Sequence, residues 1–131
     1  MRSTVIRAMK LITHNMLTSH VKGVKNGYPL KIEAESTRTL EVEFNPDFVA
    51  RMIPRIEWAV LYDAVSSLNM TGSLPAQPVE NYESDEEFLK EAHRAMLEIE
   101  IVEGNLVCPE SGRKFPIKNG IPNMLLNEDE V

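Results

Sequence analysis

The stretch Cys108-Pro109-Glu110-Ser111-Gly112-Arg113-Lys114-Phe115-Pro116-Ile117 is built like half of a zinc knuckle. A zinc ribbon places a second thiolate three residues after the first, just before the glycine that turns the loop back. Here that position is Ser111, and Cys108 is the single cysteine of the chain. A hydroxyl is a poor zinc ligand, and one thiolate cannot hold a structural metal. The pattern predicts the scaffold of a metal site without its metal, in a protein whose surface carries its function.

Composition and charge limit the class of protein. The chain has 131 residues, 43% of them hydrophobic and 26% charged, which predicts one domain or two very small ones. The formal net charge of -6 argues against a stand-alone nucleic-acid binder. Before Glu33, however, the chain carries six basic residues and no acid. These residues form either an ordinary solvated basic face or a surface that helps to hold RNA beside a partner.

The cellular compartment is predicted from what the sequence lacks. One cysteine leaves no internal disulfide framework and fits a reducing compartment. No apolar run approaches the ~20 residues of a membrane span, and residues 1–10 have no long apolar core of a secretory signal. We therefore expect the protein in the cytoplasm and the nucleus, with no membrane association.

Periodicity along the chain predicts strands, then helices, then strands. Alternating segments favour strands at residues 9–13, 28–34, 39–44, 97–102, 106–108 and 114–118. A hairpin turn is predicted at 103–105 and a second turn at Asn119-Gly120. Asn45 and Pro46 favour a helix start, and Ser84 with Glu87 has the spacing of a capping box.

This order predicts an α+β fold, with a small antiparallel β domain formed by both ends of the chain and an inserted helical domain. The predicted divisions are an N-terminal extension at 1–8, a metal-free β domain at 9–44 plus 97–126, a helical insert at 45–96, and a frayed acidic tail at 127–131.

Catalytic motifs are missing from the sequence. The six glycines form no phosphate-binding loop, so no nucleotide or methyl-donor pocket follows from motifs. Nothing local supports a nucleophilic pair of Cys108 with a histidine. His14, His20 and Cys108 could bind a metal together, but a fourth ligand is not evident. We predict no catalytic residue and no metal ligand.

The apolar segment near the end of the chain is the candidate binding surface. Pro122 cannot donate a hydrogen bond within a sheet, so this segment is predicted to lie at an edge. An edge carrying Met and Leu side chains invites pairing with another sheet. The alternative is that these side chains close the protein's own core, and the pattern leaves both open. The same two alternatives, a binding surface or part of the core, apply to Phe44, Phe48 and Met52.

Nearly the whole chain, from Met9 to about Glu128, resembles a known family. The motifs that carry the resemblance are Met9-Lys10-Leu11-Ile12-Thr13-His14-Asn15-Met16-Leu17, Phe44-Asn45-Pro46-Asp47-Phe48-Val49-Ala50-Arg51-Met52-Ile53-Pro54, Trp58, Glu103-Gly104-Asn105-Leu106-Val107-Cys108-Pro109-Glu110-Ser111-Gly112-Arg113, Phe115-Pro116-Ile117 and Gly120-Ile121-Pro122-Asn123-Met124-Leu125-Leu126. The chain is similar to the tRNA methyltransferase 112 homologues, a family of multifunctional methyltransferase subunits.

The resemblance implies a zinc-ribbon-like domain from both termini, a central helical domain and a non-catalytic role. Members of this family form heterodimers with several S-adenosylmethionine-dependent methyltransferases, which they bind and stabilise by β-strand augmentation. Those enzymes bind the S-adenosylmethionine and modify tRNA, small-subunit rRNA and the class I translation release factor, so RNA is met mainly through the partner. The implied partner-binding residues are Ile121, Pro122, Asn123, Met124, Leu125 and Leu126, with Thr13, Asn15, Phe44 and Phe48 as weaker candidates.

Some members of the family bind zinc through four cysteines. Their positions correspond here to Ser19, the neighbourhood of Val24, Cys108 and Ser111, so the resemblance implies that three of four ligands are gone. We predict a protein without zinc or another cofactor. The alternative function is a degenerate zinc-ribbon module that binds RNA directly through its basic N-terminal third.

Overall fold

The computed structural model describes residues 9–131, so the predicted extension at residues 1–8 lies outside the described residues. The described chain forms a mixed α+β fold, which confirms the predicted fold class. The strands are β1 (Met9–Lys10), β2 (Lys31–Thr39), β3 (Ile99–Val107), β4 (Lys114–Lys118) and β5 (Ile121–Pro122). The α-helices are α1 (Leu11–Met16), α2 (Pro46–Met52), α3 (Trp58–Ser67) and α4 (Glu86–His93). Short 3-10 turns lie at Ile53–Arg55, Tyr82–Ser84 and Glu128–Glu130, and a π turn lies at Arg94–Glu98.

The strands form one sheet in the order β1-β3-β4-β5, with β2 also paired to β3. β3 and β4 are antiparallel, with Leu106 opposite Phe115 and Gly104 opposite Ile117. β4 and β5 are also antiparallel, with Ile117 opposite Pro122. β5 therefore lies at one end of the strand order, as the proline at position 122 predicts.

The chain divides into two compact units. The β unit contains Met9, Leu17–Arg38 and Glu100–Val131, and the helical unit contains Lys10–Met16 and Thr39–Ile99. These bounds differ from the predicted ones, because residues 10–16, 39–44 and 97–99 join the helical unit. The acidic tail at 127–131 belongs to the β unit, where its 3-10 turn has a capping box between Asn127 and Glu130. The prediction that this tail is frayed is wrong.

Alternating side chains of the strands form the core of the β unit. Leu106, Phe115 and Ile117 are all less than 2% exposed, and Leu30, which precedes β2, is 2% exposed. Leu106 and Phe115 face each other across the β3–β4 pair. Burying two large apolar side chains at a cross-strand pair fixes the register, because a slip of one residue would turn both toward solvent.

Side-chain caps mark the starts of two helices in the helical unit. Asn45 caps α2 by accepting a hydrogen bond from the Phe48 N–H at 3.1 Å, and Pro46 occupies the first turn, as predicted. The predicted capping box at Ser84 is wrong. Asp85 caps α4 instead, accepting from the Phe88 N–H at 3.1 Å.

Three predicted strand features are also wrong. Residues 11–13 lie in α1, where Leu11, His14 and Asn15 are buried at helical spacing. Residues 40–44 lie outside the sheet, and the N–H groups of Leu40 and Val42 bond instead to the carbonyl and carboxylate of Glu98.

The third feature is the predicted hairpin turn at 103–105, which is part of the continuous strand β3. Gly104 there has φ of +152°, and an added Cβ would collide with the Glu33 carbonyl of β2. The glycine therefore permits close approach of two strands rather than a turn. None of the helices within residues 9–131 is long and apolar enough to cross a membrane.

Candidate partner-binding surface

The candidate surface begins at the turn that leads into β5. Asn119 and Gly120 have φ of 52° and 77°, the positive values that a tight hairpin turn requires. The Gly120 N–H donates to the Val102 carbonyl at 2.9 Å, and the Asn119 N–H donates to the Glu103 carboxylate at 2.8 Å. The predicted turn is confirmed, and it places β5 beside β4 at the edge of the sheet.

The six candidate residues after this turn alternate in exposure. Ile121, Asn123 and Leu125 are exposed, whereas Pro122, Met124 and Leu126 are half-buried. The exposed fractions are 50% for Ile121 and 79% for Leu125, high values for large apolar side chains. The segment therefore has two faces, because Pro122, Met124 and Leu126 are partly covered by the protein whereas Ile121, Asn123 and Leu125 face solvent. Ile121 and Leu125 are its exposed large apolar side chains.

The four weaker candidates, Thr13, Asn15, Phe44 and Phe48, all belong to the helical unit. Thr13 is exposed on α1, and Phe48 is half-buried on α2. Asn15 is only 4% exposed. Its amide oxygen accepts from the Glu57 N–H at 2.9 Å, and its amide nitrogen donates to the Glu57 carbonyl at 2.9 Å. These contacts favour a structural role for Asn15, at the start of α3.

Phe44 packs edge-to-face against His93, with ring centroids 5.4 Å apart. The Lys90 amine lies 6.0 Å from the centre of the Phe44 ring. His93 itself is buried, and its Nε2 lies 2.9 Å from the Val42 carbonyl and 3.2 Å from the Glu98 carboxylate. Phe44 is thus a half-buried residue whose ring lies against His93 and Lys90 of α4.

Two exposed apolar side chains of the helical unit escaped the sequence analysis. Met16, the last residue of α1, is 53% exposed, and Leu40 is 38% exposed. No local signal marks Met16, because two residues on the buried face of α1, His14 and Asn15, are polar. None marks Leu40 either, since residues 39–44 alternate like a strand.

The residues in the positions of the zinc knuckle come together around Cys108, which is 1% exposed. The Ser111 N–H donates to the Cys108 sulfur at 3.4 Å. Burial raises the pKa of the Cys108 thiol, but hydrogen bonds with the hydroxyls of Ser111 and Ser19 and with backbone N–H groups outweigh it, and the pKa falls to about 7. The groups that lower the pKa are hydroxyls and amides rather than a histidine, so they do not form a nucleophile and base pair.

The donor set around Cys108 does not fit zinc. It offers one thiolate and two serine hydroxyls, and Val24 supplies no donor atom. Across residues 9–131, no group of three or more His, Cys, Asp or Glu side chains is placed to hold a metal ion. The loops are linked instead by Glu110, whose carboxylate accepts from the N–H groups of Lys25 at 3.2 Å and Asn26 at 2.9 Å.

Fold and surface together define the class of protein: a small α+β protein with exposed apolar side chains at a sheet edge, a form suited to binding another protein. Residues 10–120 match the family described as Trm112p-like protein. The chain belongs to this family.

Individual relatives agree with the family assignment. The mouse multifunctional methyltransferase subunit TRM112-like protein is 56% identical over 124 residues, which cover 94% of this chain and 98% of the relative. The Arabidopsis thaliana homolog A is 52% identical over 125 residues, covering 94% and 100% of the two chains. The Saccharomyces cerevisiae subunit TRM112 is 29% identical over 130 residues, covering 90% and 96%.

A solved structure agrees with the family assignment as well. The chain is similar to a chain of the E. cuniculi Mtq2-Trm112 complex, with a TM-score of 0.57 and 25% identity over 89% of this chain and 95% of that one. That complex is described as responsible for methylation of the translation termination factor eRF1.

Proposed function

We propose that this chain is a non-catalytic subunit that activates and stabilises S-adenosylmethionine-dependent methyltransferases. Its partners would be enzymes that modify tRNA, small-subunit rRNA and the class I release factor, each held as a heterodimer. The observation that carries the proposal is the edge strand β5 with its exposed Ile121 and Leu125. The relatives named as methyltransferase subunits, and the solved complex with Mtq2, support the same conclusion.

The mechanism follows from sheet pairing and mass action. A partner strand that pairs with the segment at β5 would exchange main-chain hydrogen bonds and cover the exposed apolar side chains. Because this chain would bind the folded enzyme and not the unfolded one, it would raise the enzyme's apparent stability. The methyl donor and the RNA or protein substrate would be bound by the enzyme.

Co-expression with a methyltransferase tests this function. The chain is expressed with a tagged homologue of Mtq2 or a tRNA methyltransferase, and the product is analysed by size-exclusion chromatography and methyl transfer. We expect a one-to-one complex and loss of methyl transfer when this chain is omitted. Separate elution with undiminished enzyme activity would overturn the proposal and leave direct RNA binding to be tested by its salt dependence.

Leu125 provides the point mutation for the same complex. A fully buried leucine side chain contributes about 1.5–3 kcal/mol relative to an exposed one. Since 79% of Leu125 is exposed in the free protein, covering it should contribute most of that amount, so Leu125→Ala should weaken the complex roughly 10- to 50-fold. Val131→Ala is the matched control, because Val131 is an apolar residue of the same unit with 73% exposure. Equal affinity of wild type and Leu125→Ala would exclude this edge as the interface.

We infer further that the protein needs no zinc. The support is the donor set around Cys108, in which hydroxyls stand where thiolates would be required. Elemental analysis of the purified complex should find no stoichiometric zinc in this chain, and a chelator should leave its thermal unfolding unchanged. One zinc per chain, with unfolding on chelation, would contradict the inference.

A further inference from the structure

The backbone of the exposed segment after β5 is held in place although it lies outside regular structure. The Asn123 N–H donates to the Pro116 carbonyl of β4 at 2.9 Å. The Leu125 N–H donates to the Asn123 side chain at 3.0 Å, and the Leu125 carbonyl accepts from the Arg113 guanidinium at 3.1 Å. Leu125, with 79% of its side chain exposed, is thus fixed through both of its backbone groups.

Arg113 is the centre of this arrangement. Its Nε and Nη2 donate to the two carboxylate oxygens of Glu130 at 2.7 and 3.0 Å, and Nη2 also reaches the Leu125 carbonyl. Nη1 donates to the Lys114 carbonyl at 2.6 Å, and the guanidinium carbon lies 4.6 Å from the centre of the Phe115 ring. Lysine could not reproduce this planar, forked set of contacts.

Glu130 ties the end of the chain to the same site. Its carboxylate also accepts from the Asn127 N–H at 2.8 Å, and its carbonyl accepts from the Lys22 N–H at 2.6 Å. The hydrogen bonds from Arg113 and from the Asn127 backbone lower the pKa of the Glu130 carboxyl to about 2. The pair therefore stays ionised and intact at neutral pH. Residues 123–130 form a loop whose two ends are both anchored.

We propose that Arg113 and Glu130 form a clamp that holds Leu125 and its neighbours in the conformation that binds the partner methyltransferase. The inference rests on the proposed function and names two positioning residues for it. An ordered segment loses less conformational entropy on binding than a free one, so the clamp raises affinity without touching the partner. Arg113 joins the two parts of the clamp, because the same guanidinium binds the Glu130 carboxylate of the tail and the backbone carbonyl of Leu125.

Two conservative variants test the clamp. Glu130→Gln removes the charge but keeps the shape, and Arg113→Lys keeps the charge but removes the forked contacts. Affinity is measured by displacing labelled wild-type chain from its complex with the Mtq2 homologue. Each variant should weaken binding roughly five- to tenfold, because several ordered groups become mobile. The double variant should be no weaker than either single one, because each breaks the same clamp. Amide hydrogen exchange at Leu125 should become faster in the free variants.

Controls separate the clamp from the proposed function and from general stability. Glu33→Gln makes the same chemical change in the same unit, at an exposed ion pair with Lys114 that has an N–O distance of 3.3 Å, and it should leave affinity unchanged. In a Leu125→Ala background, loss of the clamp should lower affinity much less than it does in the wild-type background. If wild type binds and both clamp variants bind equally well, the clamp is refuted while the proposed function stands. If the clamp variants weaken binding as much in the Leu125→Ala background as in the wild-type background, their effect does not pass through Leu125. That result also refutes the clamp. If wild type fails to bind, the proposed function itself fails.

Discussion

Replacing Asn15 with alanine should destabilise the fold and leave the proposed partner-binding edge chemically intact. Asn15 lies on α1 and is 4% exposed. Its side chain bonds both backbone groups of Glu57, the residue that precedes the first turn of α3. The Glu57 N–H is one that a capping-box side chain would satisfy in other helices. Asn15 supplies that hydrogen bond from a separate helix, so the variant removes a cap as well as a tertiary contact.

The magnitude follows from the two hydrogen bonds. Each 2.9 Å bond contributes about 1 kcal/mol net, and the bond from the Glu57 N–H is itself the cap of α3. We therefore expect Asn15→Ala to lower the free energy of unfolding by roughly 2 kcal/mol. Asn15→Asp keeps an acceptor for the Glu57 N–H but turns a carboxylate oxygen toward the Glu57 carbonyl. Burial and that carbonyl would raise the pKa of the introduced carboxyl, so this variant should regain stability as the pH falls through that pKa.

Urea unfolding followed by tryptophan fluorescence measures the effect. Trp58 is the only tryptophan of the chain and lies at the start of α3, so its signal reports the helix in question. Thr13→Ala is the control, because Thr13 is exposed on the same helix, and it should change stability by less than ~0.5 kcal/mol. If Asn15→Ala unfolds at the wild-type urea concentration but loses partner affinity, Asn15 is a contact residue and the structural reasoning is wrong.

Three further predictions concern other parts of the fold. The thiolate absorbance of Cys108, the single cysteine, should titrate with a midpoint near pH 7, and Ser111→Ala should move it upward; a wild-type midpoint near 9 would contradict the assigned contacts. Because the folded pKa lies below the unfolded value, the thiolate's stabilisation is complete above pH 9 and is lost as the pH falls from 9 to 7, which urea unfolding at several pH values would detect. Gly104→Ala should prevent normal folding, because the added Cβ meets the β2 backbone at a φ of +152°; a wild-type circular dichroism melt would refute this. Trp58→Phe should cost about 1 kcal/mol in chemical unfolding, through loss of the 3.0 Å bond from the indole N–H to the Pro75 carbonyl; no change in unfolding midpoint would show that the bond is not stabilising.

Local chemistry explains which elements could be predicted from the sequence. The Asn45 cap, the Asn119-Gly120 turn and β4 each depend on residues adjacent in the chain, and the structure confirms all three. The edge position of Pro122 also follows from one residue, since proline has no N–H to donate within a sheet. Exposure within residues 121–126 required the structure, because it depends on which face of the segment meets the core.

Elements that depend on distant residues were missed. The helix α1 has polar residues, His14 and Asn15, at buried positions, so the hydrophobic pattern understates its helical period. Asn15 bonds a residue 42 positions away. The anchored acidic tail depends on the pairing of Arg113 with Glu130, which are 17 residues apart. Composition alone made this tail look disordered, since nothing local distinguishes a paired glutamate from a solvated one.

The loop around Cys108 is held by hydrogen bonds that are individually weak. A structural metal joins its ligand loops by strong bonds from one centre. Here the Cys108 N–H bonds the Arg113 carbonyl at 2.9 Å, the Gly112 N–H bonds the Cys108 carbonyl at 3.0 Å, and Glu110 links this loop to the backbone of Lys25 and Asn26. Each of these bonds contributes only about 1 kcal/mol net. The larger constraint is the buried core of the β unit, in which Leu30, Leu106 and Phe115 lie close in sequence to the two loops. Arg113 belongs to this same loop, and its guanidinium donates to the Leu125 carbonyl. The core that positions the loop therefore also supports the proposed partner-binding edge.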